Sequence, residues 1–327
     1  MRVILVTGGA GFVGSNFIRY FLRRNKDFVI VNMDNLNYAS NLKNLKELER
    51  SPRYHFVKGS ICNQELVNYV VKRHRPDYIL NFADESERSN NSFVASQTNL
   101  TGTVVLLESA KYFWGKHNYS GNRFIQVSTT EVYGCTKNND EFFTEESALS
   151  PQNLYSASKA GADLIVKSFN SSYGFPSIIT RCCLNYGPFQ HPDKFIPSGI
   201  LNTIEGKHMM LGDNSSYLRE WIHVIDHCVA LIRVMFYGKP GEIYNIGSGN
   251  EISDADMAKK ILSLMGKAED IPEPVIRNPE LQMRNAVNSY KARNNLGWGP
   301  RYKLEDGLKD TIQWYKTNSD WWNDLPE

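Results

Sequence analysis

The sequence predicts an α/β fold, with a doubly wound parallel sheet and a smaller, mainly C-terminal lobe. Three observations lead to this prediction. Short β-branched runs alternate with helical stretches through the first half of the chain, a glycine-rich turn follows the first run, and the alternation stops near residue 185. Strands that alternate with helices form right-handed βαβ units, and such units build a parallel sheet with helices on both faces.

The predicted strands are short apolar runs, of the kind that a parallel sheet buries on both faces. They cover residues 3–6, 29–31, 54–57, 78–80 and 124–127. Helical stretches at 16–24, 64–74 and 99–113 lie between them. Beyond residue 185, prolines, longer loops and a helical stretch at 193–206 indicate the second lobe. We therefore expect a cofactor-binding domain over 1–184 and a substrate-binding lobe over 185–327, with segments near 219–248 returning to the first domain.

The composition excludes several classes of protein. Lys and Arg total 37 against 35 Asp and Glu, and a net charge of +2 gives no basic surface for nucleic acid. The five cysteines show no CxxC spacing and the seven histidines no metal-ligand spacing, so we expect reduced thiols and no metal site. The opening apolar run is too short for a signal peptide or a membrane span. These features predict a cytoplasmic protein.

The glycine-rich turn indicates a dinucleotide site. Gly8, Gly11 and Gly14 follow the first predicted strand and open a helix. This spacing lets backbone approach a pyrophosphate at a helix N-terminus, as in the Rossmann fold. A tight strand-to-helix turn would use the same glycines, but the strand before them and the helix after them favour the dinucleotide. Asp34 ends the second predicted strand, where a carboxylate accepts both ribose hydroxyls and repels a 2′-phosphate, so we predict NAD.

Tyr155 and Lys159 are four residues apart, which places both on one face of a helix. A lysine ammonium beside a phenol stabilises the phenolate, which can take a proton from a substrate alcohol while hydride leaves for the nicotinamide. A surface Tyr and Lys would show the same spacing, but this pair follows Ser128 and Thr129 in a chain with a dinucleotide turn. The predicted cofactor contacts are Gly8, Gly11, Phe12, Val13, Gly14, Asp34, Asn35, Ser60, Ile61, Phe82, Ala83, Tyr155 and Lys159.

Several longer motifs carry a resemblance to a known family. They are TGGAGFVGSNF, NYASNLKNL after Asp34, TNLTGT at 98–103, YSASKAGAD, NYGPFQHPDKFIP at 185–197, REWIHVIDH at 219–227 and LGWGPRYKLEDGL at 296–308. The chain resembles, almost end to end, the extended short-chain dehydrogenase/reductases of the dTDP-glucose 4,6-dehydratase family.

The resemblance implies roles for particular residues. Thr129, Tyr155 and Lys159 would carry out hydride transfer at C4 of a UDP- or dTDP-linked hexose. The substrate contacts implied in the second lobe are Asn185, Lys194, Arg219 and Arg284, with the two arginines on the nucleotide diphosphate. The family dimerises through two helices per subunit, here 99–113 and 155–172, so the resemblance also implies a homodimer through a four-helix bundle.

The chain departs from the family where dehydration needs an acid. Relatives read Thr-Asp-Glu on the catalytic strand, whereas this chain reads Thr129-Thr130-Glu131. The base that exchanges the C5 proton is present as Glu131, but the acid that protonates the departing 6-hydroxyl is not. A second departure follows the fourth predicted strand, in the loop that begins Glu85-Ser86-Glu87. We therefore predict that Thr130 and the three residues of this loop contact the substrate.

The missing acid suggests a substrate from which no water has to be removed. A hexose that already carries a 5,6-double bond would be oxidised at C4, receive hydride at C6 and take a proton at C5 from Glu131. This resembles the second enzyme of the pseudaminic acid route, which converts UDP-6-deoxy-N-acetylglucosamine-5,6-ene to a 4-keto-6-deoxy sugar. It is the leading hypothesis from the sequence.

Three alternatives stay open. A dTDP- or UDP-glucose 4,6-dehydratase would need a relocated acid, for which Asp84 and Glu87 are candidates. A nucleotide-sugar C4 epimerase needs Thr129, Tyr155 and Lys159 but has no use for Glu131. A non-catalytic NAD-binding regulator on the same fold would have no use for the intact Tyr155 and Lys159.

Overall fold

The computed structural model describes residues 1–38, 40–85, 92–136, 141–212, 215–270 and 284–323. Ser86 and Glu87, which the sequence predicts to contact substrate, lie outside the described residues. Within the ranges given, no helix has the length and apolar character needed to cross a membrane.

The described strands form one large and one small sheet. In chain order they are β1 (Arg2–Thr7), β2 (Phe28–Asp34), β3 (Tyr54–Lys58), β4 (Tyr78–Asn81), β5 (Arg123–Thr129), β6 (Ser177–Cys182), β7 (Leu184–Tyr186), β8 (Leu218–His223), β9 (Ile243–Ile246), β10 (Glu251–Ser253) and β11 (Arg284–Asn285).

The described α-helices cover these sheets. In chain order they are α1 (Phe12–Arg24), α2 (Gln64–His74), α3 (Ser92–Ser96), α4 (Thr103–Trp114), α5 (Leu154–Tyr173), α6 (Phe195–Ile204), α7 (Val224–Tyr237), α8 (Asp254–Leu264), α9 (Tyr290–Leu296), α10 (Leu304–Thr317) and α11 (Ser319–Asn323).

The large sheet has seven parallel strands in the order β3-β2-β1-β4-β5-β6-β9. The strand order reverses between β1 and β4, which is the arrangement of a doubly wound Rossmann sheet. The predicted fold class is therefore confirmed. One edge strand, β9, lies beyond residue 185 in the sequence and pairs in parallel with β6.

The core of the large sheet follows from the alternation of side chains along each strand. Ile4 and Val6 of β1 pack with residues of α1, α7 and α9, whereas Leu5 packs with residues of α2, α4 and α5 on the opposite face. Successive strand residues point to opposite faces, so a strand covered on both sides has to be apolar throughout. Each fully buried aliphatic side chain contributes about 1.5–3 kcal/mol to this core.

The small sheet belongs to the second lobe. Its central strand β8 pairs in parallel with β7 and β11 and antiparallel with β10. A separate apolar cluster joins this sheet to α6, α8, α10 and α11, with Ile200, Trp221, Ile261, Leu308 and Trp321 among its members. The small sheet and its helices stand beside the end of β6, from which the chain continues directly into β7.

Candidate active site

A cavity of about 500 Å³ lies at the carboxyl ends of the large-sheet strands, next to the start of β7 and α6. Doubly wound sheets bind ligands at this edge, where the strand order reverses. Most of the residues that the sequence predicts for the site line this cavity. They are Gly8, Gly11, Phe12, Val13, Gly14, Asp34, Asn35, Ser60, Ile61, Phe82, Ala83, Glu85, Thr129, Glu131, Tyr155, Lys159, Asn185 and Lys194.

The turn between β1 and α1 holds glycine where no side chain fits. Gly8 has a φ of +68°, and a Cβ there would lie 2.6 Å from the backbone nitrogen of Ala83. A Cβ on Gly14 would lie 2.5 Å from the carbonyl oxygen of Gly8. Gly11 is the N-cap of α1 and lines the cavity, so it puts no side chain over the helix N-terminus. This cradle fits a pyrophosphate, because a helix N-terminus attracts negative charge.

Asp34 fits the ribose position beside this cradle. It ends β2, is buried and lines the cavity. Its Oδ2 accepts a hydrogen bond from the N–H of Ala10 at 2.9 Å, and its Oδ1 accepts one from the N–H of Leu36 at 2.8 Å. These bonds fix the carboxylate, and each oxygen keeps a second lone pair for a ribose hydroxyl. A 2′-phosphate at the same place would meet like charge.

Tyr155 and Lys159 lie one turn apart on α5, and a carboxylate meets both of them. Nζ of Lys159 is buried and donates a hydrogen bond to the carbonyl oxygen of Val127 on β5 at 2.7 Å. The Tyr155 hydroxyl donates to Oδ2 of Asp84 at 3.1 Å, and the same oxygen lies 3.7 Å from Nζ of Lys159. Asp84 follows β4 and lines the cavity. A phenol, an ammonium and a carboxylate therefore meet at one point of the site.

The first turns of α5 are fixed from two sides. The Asn153 side chain accepts a hydrogen bond from the N–H of Ser156, and the Ser156 hydroxyl completes a capping box. Two residues after Ser156, the hydroxyl of Ser158 accepts a hydrogen bond from Nδ2 of Asn99 at 2.8 Å. Oδ1 of Asn99 also accepts a hydrogen bond from the backbone N–H of Glu85 at 3.0 Å. The helix that carries Tyr155 is thus tied to the loop that carries Asp84.

Glu85 is a buried carboxyl at the edge of the cavity. Its Oε1 accepts a hydrogen bond from Nδ2 of Asn37 at 2.7 Å. Burial raises the pKa of Glu85, the charges of Asp84 and Asp34 add to the rise, and the bond from Asn37 opposes it. Because it is bonded to Asn37, Glu85 links the loop after β4 to the loop after β2.

Three successive side chains at the end of β5 point in different directions, two into the cavity and one toward the small sheet. Thr129 and Glu131 line the cavity, and Oγ1 of Thr129 accepts a hydrogen bond from the N–H of Glu131 at 3.2 Å. Thr130 is buried outside the cavity lining, where its hydroxyl donates to Oδ1 of Asn285 on β11 at 2.7 Å. Nδ2 of Asn285 returns a bond to the Thr130 carbonyl at 3.1 Å. Thr130 thus joins the catalytic strand to the small sheet.

The two arginines predicted to hold a diphosphate also lie outside the cavity lining. Arg219 on β8 forms an ion pair with Asp254, with Nε 3.0 Å from Oδ1. Arg284 on β11 is buried and donates from Nη2 to Oε1 of Glu251 at 2.7 Å and from Nη1 to the Glu141 carbonyl at 2.6 Å. The Arg219 pair joins β8 to α8, and the Arg284 bonds join β11 to β10 and to the loop at Glu141. The diphosphate role of both arginines stays a prediction.

Comparison with known proteins gives the family. The family model described as GDP-mannose 4,6 dehydratase matches residues 5–311. The dTDP-glucose 4,6-dehydratase of Neisseria meningitidis serogroup B is 40% identical over 344 residues, covering 99% of this chain and 96% of that protein. The chain belongs to the GDP-mannose 4,6-dehydratase family.

Solved structures of the family superpose on the whole chain. The dTDP-glucose 4,6-dehydratase of Bacillus anthracis, crystallised with NAD, is 42% identical, with a TM-score of 0.91 and complete coverage of both chains. DesIV of Streptomyces venezuelae, also a dTDP-glucose 4,6-dehydratase with NAD bound, is 36% identical, with a TM-score of 0.90 and coverage of 99% of this chain and 100% of its own. The predicted enzyme class, an NAD-dependent short-chain dehydrogenase/reductase acting on nucleotide sugars, is confirmed.

Several residues that line this cavity are not among those predicted for the site. Cys182, Cys183, Gln190, His191 and His227 line the cavity from the end of β6, the loop before α6 and the start of α7. Burial raises the pKa of the Cys183 thiol, which therefore stays protonated. Adjacent cysteines in an apolar strand resemble packing residues. Their position at the end of a sheet strand is the feature of the sequence that indicates a place in the site.

A contact between the two parts of the protein lies beside the cavity. The hydroxyl of Tyr38, after β2, donates to Oδ2 of Asp193, in the loop before α6, at 3.1 Å. The ring of His191 packs edge-on against Tyr38, with centroids 5.0 Å apart. Tyr38 and His191 both line the cavity, as does Asp34, which ends β2 four residues before Tyr38. We call Tyr38, His191 and Asp193 the clasp.

We expect the clasp to slow the release of NAD. Tyr38→Phe should raise the rate of NAD dissociation about 2- to 10-fold, because a hydrogen bond of this kind contributes about 0.5–1.5 kcal/mol. The measurement is the loss of labelled NAD from the protein after dilution into unlabelled NAD. Tyr69→Phe, which changes an exposed tyrosine on α2, is the matched control. Dissociation at the unchanged rate in Tyr38→Phe would contradict the expectation.

Proposed function

We propose that the chain is an NAD-dependent nucleotide-sugar 4,6-dehydratase. The observation that carries this proposal is the pair of carboxyl residues in the cavity, Glu131 in the turn after β5 and Asp84 beside Tyr155. Dehydration needs a base for the C5 proton and an acid for the departing C6 hydroxyl. Both are available although Thr130 supplies no carboxyl. The similarity to dTDP-glucose 4,6-dehydratases along nearly the whole chain supports the same reaction.

The residues of the cradle and of β2 would hold the cofactor. The backbone at Gly8, Gly11 and Gly14 fits its pyrophosphate, and the fixed carboxylate of Asp34 fits its ribose. When bound, NAD supplies a reversible acceptor for the hydride of a substrate carbon. The clasp would keep the cofactor in place within a turnover, which a reaction that returns the hydride to the same substrate requires.

The side chains near the nicotinamide end would move the protons. Tyr155 takes the proton of the C4 hydroxyl, and the ammonium of Lys159, held at 2.7 Å on the Val127 carbonyl, stabilises the phenolate. The hydroxyl of Thr129 donates to the C4 oxygen. A ketone at C4 makes the C5 hydrogen acidic, and Glu131 takes this proton and later returns it to the same carbon.

Residues of the second lobe are proposed to contact the nucleotide part of the substrate. Asn185 and Lys194 line the cavity, and Lys194 supplies a positive charge for the diphosphate. Arg219 would join them if its side chain, 39% exposed, left Asp254 when the substrate binds.

A homodimer through α4 and α5 is also proposed. Tyr112 on α4 and Leu164 on α5 are 65% and 58% exposed, and a partner's helices would cover them. Sedimentation equilibrium at micromolar concentration tests this proposal, and a monomer mass contradicts it.

A second candidate function is supported by the position of Thr130. Its hydroxyl is bound to Asn285 and lies outside the cavity lining, so no group at this position assists a leaving hydroxyl. This favours a substrate from which no water leaves, namely UDP-6-deoxy-N-acetylglucosamine-5,6-ene of the pseudaminic acid route. Tyr155, Lys159 and Glu131 would serve this conversion as well, and Asp84 would have no proton to deliver.

Product identification separates the two candidates. Purified protein with NAD is incubated with dTDP-glucose or UDP-glucose, and separately with the 5,6-ene, and products are followed by NMR in deuterated water. A 4-keto-6-deoxy sugar with deuterium at C5, formed from a glucose nucleotide, is the expected result. Conversion of the alkene without dehydration of either glucose nucleotide would contradict the dehydratase proposal and favour the second candidate. Formation of the C4 epimer instead would contradict both.

A further inference from the structure

We propose that Asp84 carries the C4 hydroxyl proton from Tyr155 to the departing C6 hydroxyl, so that one proton is passed within the site in each turnover. This inference rests on the proposed dehydration. Its basis is the contact between three side chains that arrive from different elements. Asp84 follows β4, whereas Tyr155 and Lys159 lie on α5, and all three line the same cavity.

The geometry makes Asp84 the direct acceptor of the Tyr155 proton. The phenol donates to Oδ2 of Asp84 at 3.1 Å, within the reach of about 2.6–3.2 Å over which a general acid and base exchange a proton. Lys159 lies 3.7 Å from the same oxygen and holds its position through the Val127 carbonyl. Its positive charge stabilises whichever of the two oxygens, phenolate or carboxylate, carries the negative charge.

The proton balance of dehydration leaves one proton to be moved. Oxidation of C4 breaks its C–H and O–H bonds, with the hydride passing to the bound cofactor and the O–H proton to the phenolate of Tyr155. The C5 proton goes to Glu131, the C6–O bond breaks, and the hydroxide needs one proton to leave as water. Hydride then returns to C6, and Glu131 returns its proton to C5. The proton gained by Tyr155 therefore equals the proton required at C6.

Passage of the proton through Asp84 returns every side chain to its starting protonation state. The proton moves from Tyr155 to the carboxylate of Asp84, and from there to the C6 oxygen. Tyr155 is then again a phenolate and Asp84 again a carboxylate, with no proton drawn from solvent. Thr130 could not take this part, because its hydroxyl is a far weaker acid and is bound to Asn285 outside the cavity lining.

The experiment compares Asp84→Asn with wild type on two substrates. Asparagine still accepts the Tyr155 hydrogen bond but cannot carry a proton to the leaving group. Formation of 4-keto-6-deoxy product should fall by about 10²–10⁴-fold, the range for loss of general acid catalysis. Oxidation at C4 should persist, so that reduced cofactor and the 4-keto hexose nucleotide accumulate. Asp306→Asn, at an exposed aspartate on α10, is the matched control.

A substrate with a better leaving group tests the role of the proton itself. Fluoride leaves carbon without the full protonation that hydroxide needs, so a 6-deoxy-6-fluoro-glucose nucleotide should lose fluoride in Asp84→Asn at nearly the wild-type rate. Equal slowing on both substrates would overturn the relay, because the defect would then not be one of protonation. Wild-type dehydration rates in Asp84→Asn would also overturn it. Failure of the wild-type protein to dehydrate any glucose nucleotide would instead contradict the proposed function.

Discussion

Tyr155→Phe is expected to lower the rate of C4 oxidation by about 10²–10⁴-fold, the range for loss of a positioned general base. The hydroxyl removed donates to Oδ2 of Asp84, the oxygen that lies 3.7 Å from Nζ of Lys159. Phenylalanine keeps the ring and its packing on α5, so the binding of NAD should change little. The measurements are the formation of reduced cofactor after mixing with nucleotide sugar, and the dissociation constant of NAD.

The two measurements separate a chemical from a structural role of Tyr155. Tyr290→Phe, which removes the hydroxyl of an exposed tyrosine on α9, should leave both values unchanged. C4 oxidation in Tyr155→Phe at a rate close to wild type would contradict the assignment of the base. Loss of NAD binding together with oxidation would indicate that the hydroxyl is also needed to hold the cofactor.

Gly14→Ala is expected to weaken NAD binding by roughly 10–100-fold and to lower the free energy of unfolding by about 1–3 kcal/mol. The new Cβ would lie 2.5 Å from the Gly8 carbonyl oxygen and 2.8 Å from Cα of Gly9, and both of these are backbone atoms. Backbone cannot move aside as a flexible side chain does, so α1 must move away from β1. The pyrophosphate cradle opens with this movement.

Gly299→Ala is the matched control for this prediction. A Cβ at Gly299 meets nothing within 4 Å, and the residue lies after α9, away from the cradle. Isothermal titration with NAD and denaturant unfolding test both variants. Wild-type NAD affinity in Gly14→Ala would contradict the view that close backbone approach in this turn forms the cofactor site.

The large sheet could be predicted from the sequence to the extent that its strands are apolar. The runs at 3–6, 29–31, 54–57, 78–80 and 124–127 all lie within observed strands, and the helix expected over 64–74 matches α2. β6 was not recognised, because Arg181 interrupts its apolar run. In the structure this guanidinium is buried, with its Nε 2.9 Å from Oδ2 of Asp163 on α5. The charge is neutralised by a side chain on the preceding helix, and nothing within the strand's own sequence signals this pairing.

The helices expected over 16–24 and 99–113 begin at other residues, and the helix expected over 193–206 is confined to Phe195–Ile204. The helix expected over 16–24 begins at Phe12, because the glycine turn itself leads into the first helical residues. The helix expected over 99–113 is preceded by a wide π-helical turn over Gln97–Gly102, and its regular part is Thr103–Trp114. Local propensity does not specify such a turn, which here brings Asn99 to the backbone of Glu85.

The site was predictable where motif spacing fixes geometry, and not where contacts are distant in sequence. The glycines follow from a strand-turn-helix unit, and Asp34 follows from its place at the end of the next strand. Asp84 meets Tyr155 across 71 residues of sequence, and Thr130 meets Asn285 across 155. The Thr130 side chain points toward Asn285 because a tight turn begins just after β5. In this turn successive side chains no longer alternate between the two faces as they do in a strand. These contacts decide which carboxyl is available as an acid.

Transfer of hydrogen from C4 to C6 of one hexose tests the central claim most directly. The substrate is a glucose nucleotide with deuterium at C4, incubated with the protein and NAD, and the product is examined by NMR. The account predicts that the deuterium appears in the C6 methyl group of a 4-keto-6-deoxy sugar. Deuterium that returns to C4, or that is never removed from it, would contradict the claim that this site moves hydride between the two carbons.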